Sequence, residues 1–168
     1  MSNEANYEIE RRFLIRMPDV QRLSAMGESS SITQTYLKSE KGTTARVRRR
    51  GIPGDWTYTH TVKKRLSHIR REESEREISR EEYERLLENA DERKRSIVKT
   101  RHCIRYMGQL LEIDIFPFFE DRAILEIELE GEDQPITLPD WLCVIKEVTG
   151  DGRYTNAAMA EKIPYDEI

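Results

Sequence analysis

Cysteine and histidine are scarce in this chain of 168 residues: two cysteines, Cys103 and Cys143, and three histidines, His60, His68 and His102. Neither type shows the spacing of a zinc site, and the histidines read as ordinary surface or strand residues. Two isolated thiols suit a cytoplasmic protein that keeps them reduced. No apolar run is long enough to span a membrane. The opening "MSNEANYEIE" lacks the basic and apolar regions of a signal peptide. A strong excess of either charge is missing too. The net charge is only -4, which argues against a generic nucleic-acid binder. Repeats, linkers and low-complexity segments are absent, so residues 1–168 read as one domain.

What the chain has is charge of both signs. Charged residues make up 36%, above the usual share of about 25%, while 37% hydrophobic residues still permit a core. Short alternating runs predict strands over 7–15, 32–38, 43–50, 55–64, 70–78, 96–105, 110–116 and 122–130. "GIPGD" (51–55) and "MGQ" (107–109) read as hairpin turns. The clearest helix is 79–94, with Ser79 as cap, Glu82 completing a capping box, and Tyr83, Leu86, Leu87 and Ala90 as its apolar face. A shorter helix is expected over 18–26 with Val20 and Leu23 inward, and another after Tyr154.

Sorting the strands by face reveals a repeated pattern. "YEIERRFLI" places Glu8, Glu10 and Arg12 together, and points Arg11 the other way. "ARVRRRG" aligns Arg46, Arg48 and Arg50; "TYTHTVKK" aligns Thr59, Thr61 and Lys63. "REESEREI" aligns Glu73, Glu75 and Glu77; "SIVKTRHCIRY" aligns Lys99, Arg101 and Arg105. "LEIDIF" pairs Glu112 with Asp114, and "ILEIELE" aligns Glu126, Glu128 and Glu130. The opposite faces are largely apolar. A solvated outer face would mix signs within a strand to gain cross-strand pairs, yet here the signs are largely segregated by strand.

Two architectures fit. In one, the apolar faces meet as an ordinary core and the charges face water; patterning alone slightly favours it, because inward charge is costly unless paired. In the other, the sheet curls with its charges inside. Its apolar outer faces then need covering by helices such as 79–94, or by a second copy in a homodimer. A polar tunnel needs a ligand with both signs of charge. A polyphosphate with divalent cations supplies them, since bases hold phosphate oxygens and carboxylates hold metal.

The residues resemble the CYTH superfamily of triphosphate tunnel metalloenzymes, in its small bacterial form. The Glu-x-Glu-x-Lys signature corresponds to Glu8-Ile9-Glu10-Arg11-Arg12, with Arg12 in place of the lysine. The likeness continues in order through "QTYL", "ARVRRR", "THTVKK", "REESEREIS", "VKTRH", "LEIDIF", "LEIELE" and "EVTGDGRYTN". It implies an eight-stranded antiparallel β-barrel tunnel with a charged interior, flanked by a few helices. It implies a metal-dependent hydrolase of inorganic triphosphate or a related triphosphate-bearing substrate. The alternatives are a class IV adenylyl cyclase and a non-catalytic polyphosphate- or nucleotide-binding module.

Carried onto this sequence, the resemblance makes Arg12, Arg46, Arg48, Lys63, Lys99 and Arg101 the phosphate clamp. It makes Glu8, Glu10, Glu126 and Glu128 the metal ligands, joined by Glu73, Glu75 and Asp114. Oxygen-only ligands favour Mg²⁺ or Mn²⁺. Tyr36 and Lys63 are assigned to assist proton transfer. Glu77, Glu112 and Glu130 are expected as rim charges or ion-pair partners, and Arg50 and Arg105 as ion-pair partners of neighbouring acids. "EVTGDGRYTN" is expected to close one tunnel end, with Glu147 and Arg153 reaching the site. The expected partner is a small-molecule triphosphate, not a membrane or a nucleic acid. Arg12→Ala is expected to harm catalysis more than stability.

Overall fold

The computed structural model describes residues 6–168. Its strands are β1 (Asn6–Arg16), β2 (Glu28–Leu37), β3 (Thr43–Ile52), β4 (Asp55–Arg65), β5 (Arg70–Ile78), β6 (Ile97–Tyr106), β7 (Gln109–Ile115), β8 (Arg122–Glu128) and β9 (Val144–Glu147). Its helices are α1 (Val20–Met26), α2 (Arg80–Leu86) and α3 (Asn156–Glu161). The sheet runs β5-β4-β3-β2-β6-β7-β8-β1, and β1 pairs antiparallel with β5 to close an eight-stranded barrel. The edge of β1 is shared along its length. Asn6–Ile9 face β5, and Phe13–Ile15 face the short β9.

The hairpins are where the turn residues put them. Ile52 pairs with Asp55 across Pro53 and Gly54, and Gly54 has a φ of 86°. Tyr106 pairs with Gln109 across Met107 and Gly108, whose φ angles are 51° and 74°. Two successive positive φ values match the right-handed twist of a two-residue hairpin.

Apolar residues form three clusters. The outer faces of β1, β6, β7 and β8 contribute Phe13, Ile15, Ile104, Leu111, Ile113, Leu125 and Ile127, packed with Leu23 of α1 and Leu142. The outer faces around β3 contribute Leu37, Val47 and Ile78, packed with Tyr83 of α2. The third cluster lies where the interior faces themselves turn apolar. Leu14 follows Arg12 on β1, Ile97 precedes Lys99 on β6, and Ile124 precedes Glu126 on β8. These join Tyr36, Phe116, Tyr154 and Met159 as a plug against α3. Helices and loops thus cover the outside while charge occupies the rest of the inside.

Several boundaries differ from the sequence expectation. The long helix ends early: α2 stops at Leu86, a 3-10 turn covers Leu87–Asn89, and Ala90 bridges to Leu37. The Asp91 amide donates to the Tyr36 carbonyl at 2.8 Å, so the chain leaves the helix to extend the end of β2. Ser79 accepts from the Glu82 amide at 3.0 Å as expected, while the Glu82 carboxylate turns to Arg76. On α1 only Leu23 is buried; Val20 is 42% exposed, because a helix of 7 residues presents a narrow face. β2 starts at Glu28, and its polar Ser29–Ser31 stretch is held by pairing with β6. Among the described residues, no helix is long and apolar enough to cross a membrane.

Candidate active site

Antiparallel register decides which side chains share the interior, since directly opposed residues lie on one face. Glu10 stands opposite Glu128, and Arg12 opposite Glu126. Glu126 in turn stands opposite Glu112. Arg46 is opposite Thr61, which is opposite Glu75; Arg101 is opposite Asp114. The charged stripes therefore converge on a cavity of 290 Å³. Its walls include Glu8, Glu10, Arg12, Arg46, Arg48, Lys63, Glu73, Glu75, Lys99, Arg101, Glu126 and Glu128. Tyr36 lines an adjoining recess of 260 Å³, which shares Arg12, Arg46 and Lys63 with the main cavity.

The two walls lean on each other. Arg12 reaches Glu10 at 2.9 Å and Glu126 at 3.0 Å. Its other terminal nitrogen donates to the Tyr154 carbonyl at 2.6 Å. Lys63 meets Glu8 at 2.7 Å and Glu73 at 3.9 Å. Arg48 meets Glu75 at 3.5 Å. Arg101 touches Glu126 at 3.2 Å and Glu112 at 2.8 Å. Arg46, only 9% exposed, has no carboxylate partner among the described residues, and its Nε has no hydrogen-bond acceptor.

Crowding leaves a signature on each wall. Burial, reinforced by Arg46, pulls the Arg48 guanidinium down to about 10. Burial pulls the Lys99 ammonium down to about 8, against the attraction of Asp114. Burial and the neighbouring Glu126 push the Glu10 carboxyl up. Burial and Glu8 push Glu128 up. Glu126 goes the other way: Arg12 and Arg101 outweigh its burial and hold it well below the usual carboxylate range. The buried Tyr36 phenol is pushed up, with Arg46 opposing, so it stays a protonated donor near neutrality.

Asp114 sits differently from the other acids. It is 0% exposed and absent from the cavity wall. One oxygen accepts from Lys99 at 2.7 Å, and both are used by Arg101 at 2.8 and 2.9 Å. It anchors two bases, Lys99 and Arg101, a role that the sequence expectation did not include beside the metal role. Arg50 departs from expectation as well. It lines the cavity and donates to Ser30 at 3.0 Å and Cys103 Sγ at 3.4 Å, instead of to an acid. Glu112 lines the cavity as a partner of Arg101, while Arg105, Glu77 and Glu130 are exposed. Glu147 pairs outside the barrel with Arg11, and Arg153 pairs outside with Asp151 and Asp166, so neither reaches the cavity. Their segment does flank the recess, through Gly152, Thr155 and Asn156. Two residues absent from the sequence expectation line the main cavity, Gln34 of β2 and Asn156 of α3. Asn156 accepts from Lys99 at 3.3 Å.

The donor chemistry fits a hard divalent cation. Glu8, Glu10, Glu126 and Glu128 offer oxygen only, and Glu10 and Glu128 are held in register as like charges, which costs stability unless a cation lies between them. Among the described residues no three candidate ligands already converge on one point, because Glu8, Glu10 and Glu126 are turned onto Lys63, Arg12, Arg71 and Arg101.

A closed antiparallel barrel whose interior opposes a basic wall to an acidic one defines a triphosphate-tunnel type of fold. Residues 6–150 match the CYTH domain, and the chain belongs to the CYTH family. It is 34% identical to an inorganic triphosphatase of Acetivibrio thermocellus, over 94% of this chain and 95% of that protein. It is 32% identical to an inorganic triphosphatase of Nitrosomonas europaea, over 94% and 99%. The solved structure of an inorganic triphosphatase superposes with a TM-score of 0.59 at 31% identity, covering 94% of this chain and 97% of that one. A Pyrococcus horikoshii protein at 18% identity shares the fold, with a TM-score of 0.57 over 75% and 80% of the two chains. Family membership implies dependence on a divalent metal.

Proposed function

We propose that this chain is a divalent-metal-dependent hydrolase of linear triphosphates, with inorganic triphosphate as its substrate and Mg²⁺ or Mn²⁺ as its metal. One observation carries the reading: among the described residues buried Arg46 has no carboxylate partner, and it lines the same cavity in which the carboxylates of Glu10 and Glu128 stand in register. A triphosphate would supply the anion, and a divalent cation would relieve the opposed carboxylates. The relatives of similar length that bear the name inorganic triphosphatase support the choice of substrate.

Phosphoryl transfer is catalysed mainly by positioning and charge neutralisation. Arg46, Arg48, Lys99 and Arg101 hold non-bridging oxygens and keep the chain extended along the barrel. Arg12, always protonated and tied to Glu10, Glu126 and Tyr154, carries charge to the boundary of the two walls but cannot shuttle a proton. Glu8, Glu10, Glu126 and Glu128 are the carboxylates that would hold the metal, with Glu73 and Glu75 flanking them. A divalent cation bound there would neutralise phosphate oxygens and acidify the attacking water. Water attacks the terminal phosphorus, the phosphoanhydride bond breaks, and the electron pair leaves on pyrophosphate. Tyr36, a protonated donor, and Lys63, between Glu8 and Glu73, are the groups placed to stabilise and protonate that leaving oxygen.

A substrate panel tests the proposal. Tripolyphosphate, thiamine triphosphate and ATP are incubated with Mg²⁺ or Mn²⁺, and both phosphate and cyclic AMP are measured. Phosphate from tripolyphosphate, abolished by EDTA, is expected. Cyclic AMP from ATP would instead identify a cyclase, and binding of tripolyphosphate without turnover would identify a binding module.

A further inference from the structure

Tyr154 joins two networks. Its ring is fully buried in the apolar plug. Its carbonyl accepts from Arg12 Nη1 at 2.6 Å. Its hydroxyl donates to the carboxylate of Asp166, a residue beyond α3 that lines neither the cavity nor the recess. The same carboxylate accepts from Lys146 at 2.8 Å and from both terminal nitrogens of Arg153 at 2.9 and 3.1 Å. The Asp166 carbonyl accepts from Arg122 of β8 at 2.5 Å. Arg153, with Lys146 and the Tyr154 hydroxyl, holds the Asp166 carboxyl well below the usual carboxylate range, so it is an anion at neutral pH.

Arg12 needs a second point of attachment. One terminal nitrogen, Nη2, serves both Glu10 at 2.9 Å and Glu126 at 3.0 Å. A planar guanidinium held by that nitrogen alone can pivot about it; the Tyr154 carbonyl on Nη1 fixes its plane. The chain near Tyr154 is tied to β1 only at its start, where Val148 donates to the Arg12 carbonyl at 2.8 Å and Thr149 accepts from the Arg12 amide at 2.9 Å. Gly150, with a φ of 78°, intervenes before Tyr154. We propose that Asp166 is a positioning residue for triphosphate hydrolysis, which aims Arg12 by fixing Tyr154; this rests on the triphosphatase reading. Without Asp166 the Arg12 charge stays between Glu10 and Glu126, so substrate still meets it. What is lost is its aim, and the loss falls on kcat more than on KM.

The test is a double-mutant cycle of Asp166→Asn with Arg12→Lys in the full chain. Phosphate release from tripolyphosphate is measured with Mg²⁺, at a temperature where every variant is folded, and urea midpoints are measured in EDTA. Asp166→Asn alone is expected to lower kcat about five- to twentyfold with KM changed less than about twofold, and Tyr154→Phe to do the same. A lysine at position 12 cannot hold both the acids and the carbonyl, so in that background Asp166→Asn should cost less than about twofold in kcat. The urea midpoints should be non-additive in the same sense. Unchanged kcat with a lower urea midpoint would make Asp166 a staple of the chain end only and overturn the proposal. An equal loss of kcat in both backgrounds would overturn it too, because Asp166 would then act elsewhere than through Arg12. A parent that releases no phosphate would overturn the triphosphatase reading and the catalytic part of this one. The urea cycle would still decide the link from Asp166 to Arg12, which additive midpoints would refute.

Discussion

Glu10 on β1 and Glu128 on β8 face each other directly across an antiparallel pair on the inside of a closed barrel. Both carboxyls are pushed up, Glu10 by burial and Glu126, Glu128 by burial and Glu8. A divalent cation removes that conflict, and ligands that bind only the native state raise its stability by mass action. Mg²⁺ should therefore raise the melting temperature of the parent. Glu128→Gln should melt no lower than the parent in EDTA, gain less from Mg²⁺, and lose more than about tenfold in rate with metal present. Differential scanning fluorimetry with and without EDTA, beside phosphate-release kinetics, checks all three.

Arg12 supports the fold as well as the site. Its guanidinium spans Glu10, Glu126 and the Tyr154 carbonyl, so it joins two barrel strands to the loop before α3. Sequence alone suggests that its removal harms catalysis more than stability. The geometry reverses this, because Arg12→Ala leaves Glu126 with one guanidinium and frees the loop. Breaking a buried ion pair in this way costs about 3–5 kcal/mol. Arg12→Ala should lose both stability and activity. Arg12→Lys should keep activity within about tenfold but melt lower, since one ammonium cannot span three acceptors. Urea melts and turnover of both variants distinguish these outcomes.

The strand pattern made the barrel readable because charge segregated by strand and alternated with apolar residues. That signal failed wherever an interior position is uncharged. The inner face of β2 carries Ile32, Gln34 and Tyr36, so Gln34 passed unnoticed, and Asn156 enters the cavity from a helix remote in sequence. Asp114 looked like its neighbour Glu112. Which acid faces the cavity and which is sealed beneath two bases depends on how deep each residue lies along the barrel, and alternation says nothing of depth. β9 was missed because four residues, "VIKE", gain their strand from the free edge of β1 and not from a pattern of their own.

Asp114→Asn separates the anchoring role from a metal role. Lys99 and Arg101 would lose their shared carboxylate in a fully buried setting. Stability should drop by about 3–5 kcal/mol. The Mg²⁺ concentration giving half-maximal activity should stay within about twofold of the parent, because Asp114 is not among the residues that line the cavity. A large rise in that concentration would restore Asp114 to the metal ligands.

His102 gives the barrel an acid-sensitive point. It is 2% exposed, both ring nitrogens lack partners among the described residues, and burial pulls the imidazole below its ordinary value of 6.5. The unfolded chain therefore binds more protons than the folded one below pH 6.5. The stability that His102 contributes is fully present above 6.5 and is lost as pH falls towards the folded value. His102→Phe should lose less stability than the parent between neutral and mildly acidic pH. Urea midpoints measured across that window read the difference directly, and parallel curves would contradict it.

The initial rate of phosphate release from tripolyphosphate, with Mg²⁺ and again with EDTA, tests the opposed-wall account most directly. Rapid release with Mg²⁺, none with EDTA, and loss in Glu128→Gln is the predicted result. Release that persists in EDTA, or a folded parent that releases no phosphate with either Mg²⁺ or Mn²⁺, would contradict it.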